Sequence, residues 1–140
     1  MHQLTTLGHA DAMRAIAAIQ AELLRLGKTG AIAVADAGGE LIALLRLDGT
    51  QLPCMTIATN KAFTAARERK ATLQIGREVR HPATGFDISY YGDGRYVGWG
   101  GGVPVVVNGA VVGAVAVSGL PELEDDALAR IGVEAILRGV

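Results

Sequence analysis

One cysteine, four prolines, two phenylalanines, three tyrosines and one tryptophan are all that this 140-residue chain contains of those types. The lone Cys54 excludes an intrachain disulfide and any metal site built on a cysteine pair. Basic and acidic residues, 13 and 14 in number, nearly cancel, so the positive surface that nucleic acid requires is missing. No apolar run approaches the roughly 20 residues that span a bilayer. No basic-then-apolar leader opens the sequence, and a cytoplasmic location with no membrane partner is expected. Zinc-type spacing such as His-Glu-x-x-His is absent too. With so few rings, the hydrophobic half of the chain is mostly Ala, Val, Leu and Ile, side chains that let helices and sheet approach closely.

What is present reads as one domain over residues 1–140. Thr6 is placed to cap a helix running to Leu26, with Ala10, Met13, Ile16, Ala17, Leu23 and Leu24 on its apolar side and Gly27 to end it. Ala31–Asp36 and Leu41–Leu47 read as strands. The turn at 36–39 is too short for anything but antiparallel pairing. Pro53 opens a second helix whose packing face is Met55, Ala58, Ala62, Ala65 and Ala66. A short third helix is expected at Thr72–Val79, then an irregular stretch over 80–98.

The glycine-rich "GWGGGVPVVVNGAVVGAVAVSG" of residues 98–119 resembles a phosphate-binding loop at first sight. A dinucleotide fingerprint needs glycine at the first, third and sixth positions and a helix behind it. Counted from Gly98 or Gly100, the sixth position is valine, and no Gly-Lys-Ser/Thr follows. Two β-rich runs flank Asn108-Gly109 instead, a strong hairpin signal. Gly101 and Gly102 then mark where a ligand or a neighbouring backbone passes close to the strand. Pro121 and "ELEDDALARIGVEAIL" close the chain as a helix with its acids at the favourable end of the macrodipole. The expected class is α+β, an antiparallel sheet flanked by helices in the order α-β-β-α-α-(β)-β-β-α.

Four stretches in register carry a resemblance. "VADAGGELIALLRLDG", "IATNKAFTAA", "GGVPVVVNGAVVGAVAVSG" and the acidic start of the last helix are similar to the GlcG/HbpS-like family. Its members are haem-binding or haem-degrading domains, and the domain also ends PduO-type corrinoid adenosyltransferases. The resemblance spans roughly residues 6–138 and implies a sheet of about five strands, assembly into homo-oligomers and a small-molecule ligand such as haem. Members commonly carry Pro-Gly-Gly before the hairpin and Ser-Gly-Gly after it. This chain has Gly100-Gly101-Gly102 and Ser118-Gly119-Leu120. Its middle loop is full of aromatics and charge, which points to a changed ligand on an unchanged fold.

Haem requires an axial ligand, most often histidine. His81, held extended by Pro82, and His9, in the first helical turn, are the candidates for its iron; His2 is terminal. His81 is also a candidate acid or base near neutral pH. Lys61 interrupts a small-residue helix face within a family motif, where it can bind a carboxylate, act as a reactive amine, or pair with an acid to steady the fold. Arg46 shares a strand face with Asp48 and either pairs with it or clamps an acid group. Arg95, Tyr91 and Trp99 belong to the aromatic segment 86–99, which either walls a pocket for a flat ligand or covers a subunit contact.

Three functions follow. The first is a homo-oligomeric domain that binds haem or a related planar or acidic small molecule. The second is a small catabolic enzyme, an isomerase, lyase or hydrolase of an organic acid, with Lys61 and His81 as its catalytic candidates. The third is a ligand-free assembly domain, against which a pocket joining Lys61 to the aromatic segment would count.

Overall fold

A computed structural model describes residues 1–140. Its elements are α1 (His9–Leu26), β1 (Ala31–Asp36), β2 (Leu41–Arg46), α2 (Pro53–Glu68), α3 (Thr72–Val79), β3 (Gly102–Val107), β4 (Ala110–Ser118) and α4 (Glu122–Leu137). The strands form one antiparallel sheet in the order β2-β1-β4-β3. It has four strands rather than about five. The bracketed strand before β3 does not form; a single 3₁₀ turn, Ile88–Tyr91, lies there instead. The Asp87 carboxylate accepts the Ser89 N–H, and such local side-chain bonding competes with a sheet ladder.

Alternation in the two central strands sets the layers. Ala31, Ala33, Ala35 and Ala116 face α2 and meet Ala58 and Ala62; Ala114 meets Ala65 and Ala66. On the opposite face, Ile32, Val34, Val115 and Val117 pack with Ile16, Ile19 and Leu23 of α1 and with Leu128 and Ile136 of α4. Period-two side-chain placement therefore gives the sheet one small-residue face and one branched face. Methyl groups on both sides let α2 lie close to the sheet. At Gly102 the approach leaves no room for a side chain, since a Cβ there would collide with the Lys61 carbonyl.

The β3–β4 hairpin turns as expected at Asn108 and Gly109, with φ of 51° and 78°. Helix α1 differs from the expectation. It begins at His9 behind Gly8, whose N–H donates to the Asp11 carboxylate. The Thr6 hydroxyl instead accepts the Ala37 N–H across the fold. The buried stripe of α1 is Ala12, Ala15, Ile16, Ile19 and Leu23, which leaves Ala10, Met13, Ala17 and Leu24 exposed. The stripe that turns inward is the one that meets α4 as well as the branched sheet face. No helix is long and apolar enough to cross a membrane.

Candidate functional site

Helix α2 lies against the sheet on its alanines, and the one charged side chain buried on that helix reaches the end of β4. It is Lys61, 2% exposed. Its Nζ donates to the Val117 carbonyl at 3.0 Å and to Asp125 Oδ2 at 3.1 Å. The Asp125 carboxylate is as buried as the lysine, and its Oδ1 accepts the Leu120 N–H at 3.1 Å. The ion pair thus ties the α2 layer to α4 around the end of β4. Burial raises the Asp125 carboxyl above its ordinary range, and the charge and hydrogen bond of Lys61 offset that only in part. One ammonium hydrogen of Lys61 is left without a protein partner.

The pair forms the floor of a cleft of about 650 Å³, within the size range of small-molecule sites. Ile57, Leu120 and Trp99 supply apolar wall, Cys54 stands beside them half-buried, and Arg80 and Glu122 bring charge. Glycines make the floor possible. Gly101 has φ +132°, and a Cβ on it would stand 2.8 Å from Lys61 Nζ. Gly101 and Gly102 serve the close approach of the protein's own lysine here.

Of the residues singled out in the sequence, Lys61 and Trp99 line the cleft together, with Gly101 and Gly102 behind them. The others lie elsewhere. Arg46 lines a separate depression beside Asp48, and the two form no ion pair. Arg95 lies 3.9 Å over the Phe63 ring and bonds Asp93, with Nη2 to Oδ2 at 2.9 Å. That contact holds the Asp93 carboxyl below its usual range. Tyr91 packs edge-on to Tyr96 and stacks on Phe86. His81 is exposed, and its Nδ1 accepts the N–H groups of Ala83 and Thr84. His9 is exposed on α1. Arg46, Arg95 and His81 do not line the cleft that holds Lys61.

Asp125, Arg80 and Glu122 were missed. All the acids at the start of α4 suit the macrodipole alike, which hides Asp125 among them. Asp125 nevertheless precedes Leu128 and Ala129 by three and four residues, which puts it on the helix's apolar stripe. That spacing was a usable signal. Arg80, just past α3, carried none.

Comparison with known proteins bears on this geometry. The family model described as "Haem degrading protein HbpS-like" matches residues 7–134. Protein GlcG of Escherichia coli K12 is 40% identical over 103 residues, which is 74% of each chain. The structure of Klebsiella pneumoniae protein ORFY superposes with a TM-score of 0.92 at 27% identity, covering 98% of this chain and 94% of that one. A PduOC:Heme complex superposes at 0.86 with 23% identity, covering 94% of this chain and 95% of that one, a likeness of fold.

Proposed function

The chain belongs to the HbpS-like family, and from that premise we propose that it binds a flat small molecule carrying an acid group in the Lys61–Trp99 cleft. One observation carries the reading. A cleft of ligand size joins a buried ion pair at its floor to the chain's single tryptophan at its wall. Such a cleft favours a ligand over a purely structural assembly domain. Haem is the chemistry of the family description and of the PduOC complex. The lining here suits a macrocycle edge and a propionate. It does not suit a histidine-held iron, because no imidazole lines the cleft, and of the usual axial haem ligands His, Cys, Met and Tyr only Cys54 is present there.

Haemin titration followed by Soret absorbance tests this. The expected result is saturable binding that Trp99→Leu weakens about three- to tenfold through loss of ring stacking. His9→Ala and His81→Ala leave the titration unchanged. A non-saturating titration removes haem from the ligand class, and loss of binding in either histidine variant overturns the cleft as its location.

Self-association belongs to the same reading. The outer edge of β2 has no strand partner, and Leu41 and Leu44 on that strand are exposed. Open edges of this kind pair with other chains. Light scattering is expected to give a multiple of the 14.5 kDa chain mass, and a monomer at all concentrations would refute this part.

A further inference from the structure

Four charged side chains line the cleft: Lys61, Arg80, Glu122 and Asp125. Lys61 is the obvious candidate to hold an acid group on a ligand, but its charge is already matched by Asp125 at 3.1 Å, and both are buried. A second carboxylate brought to Lys61 would compete with Asp125 at close range. Arg80 differs. It takes part in no ion pair of the protein. Its Nη1 donates to the Gly98 carbonyl at 3.2 Å, and its remaining guanidinium donors have no protein partner.

That arginine is positioned rather than loose. A Cβ on Gly76 would collide with the Gly98 carbonyl and stand 2.7 Å from Arg80 Nη2. Glycine at 76 therefore lets α3 abut the 98–100 segment and leaves room for the guanidinium beside it. Two residues on, the Gly100 N–H donates to Glu122 Oε2 at 2.9 Å. Arg80 and Glu122 thus hold the two ends of the segment that presents Trp99, one cationic and one anionic.

We propose that Arg80, and not Lys61, reads the acid group of the ligand, and that the cleft takes a single carboxylate attached to a flat apolar body. This rests on the cleft reading given above. The planar guanidinium offers two parallel N–H donors to a carboxylate, next to the Trp99 ring that receives the apolar part. The four lining charges sum to zero, and Glu122 opposes a second anionic group, so a monocarboxylate is the matching class.

The test is calorimetric titration with cinnamate, with its uncharged counterpart cinnamamide, and with haemin. In the wild-type protein cinnamate is expected to bind at least tenfold tighter than cinnamamide. Arg80→Gln brings cinnamate down to the level of the amide and leaves the amide unchanged. Arg80→Lys keeps the charge without the fork and restores part of the difference. Equal affinities in the wild type, or a preference that survives in Arg80→Gln, overturn the role of Arg80 while leaving the cleft as a binding site. Saturable haemin with no heat from either cinnamate or its amide overturns the monocarboxylate class alone. Silence from all three probes overturns both readings.

Discussion

Lys61→Met is expected to lower stability by about 3–5 kcal/mol at neutral pH, because it leaves a buried carboxylate without its counter-charge. In a chain of this size that corresponds to a melting temperature lower by roughly 10–20 °C. The effect has a pH signature that separates it from simple loss of packing. Burial already raises the Asp125 carboxyl, and Lys61 supplies the main opposing influence. Without Lys61 the carboxyl moves further up. An acid whose folded value is raised binds more protons in the folded state than in the unfolded one, so stability falls as pH rises through that window. The deficit of Lys61→Met relative to wild type should therefore be smallest in mild acid and largest at neutral pH and above. Urea denaturation at pH 5 and pH 8 measures it directly. An equal deficit at both would mean that Asp125 is not its source. Lys61→Met combined with Asp125→Leu should recover much of the loss, since removing both partners leaves no orphaned charge.

Gly102→Ala should be clearly destabilising although it adds one methyl group. The new Cβ would meet the carbonyl of Lys61 and also stand 2.9 Å from the Thr72 side chain. Backbone cannot rotate away as a flexible side chain can, so α2 must lift from β3. Overpacking of this kind costs about 1–3 kcal/mol. The Gly102 N–H also donates to the Thr72 hydroxyl at 2.9 Å, a bond that the same displacement stretches. Gly94→Ala is the control. Nothing lies within 4 Å of a Cβ built there, and its stability should stay within about 0.5 kcal/mol of wild type. If both alanines proved equally harmless under thermal denaturation, the tight packing of α2 on β3 would be wrong.

Much of the architecture could be read from residues a few positions apart. Asn108-Gly109 specified its hairpin, Pro53 and the alanines specified α2, and the short link after Asp36 forced an antiparallel pair. The absence of a sixth-position glycine disposed of a nucleotide loop. Each of these follows from turn chemistry or side-chain period, which act within one or two turns of chain and need no partner elsewhere. The buried stripe of α1 was not legible in this way, because a helix rich in alanine offers several faces of similar hydrophobicity, and α4 together with the sheet chooses among them.

The site was decided by the tertiary structure. Lys61 was visible as an anomaly on a small-residue face, but its partner lies 64 residues away among four acids that the macrodipole favours alike. Only packing of α4 on the branched sheet face turns Asp125 inward and leaves Glu124 outside. Arg80 and Trp99 come together because two glycines, Gly76 and Gly98, permit two segments to touch. Arg46 and Arg95, more prominent than Arg80 in the sequence, are carried to other surfaces by the same fold. Charge and residue type are properties of the sequence. Whether a charge is matched, buried or free to meet a ligand depends on distances that only the assembled layers determine.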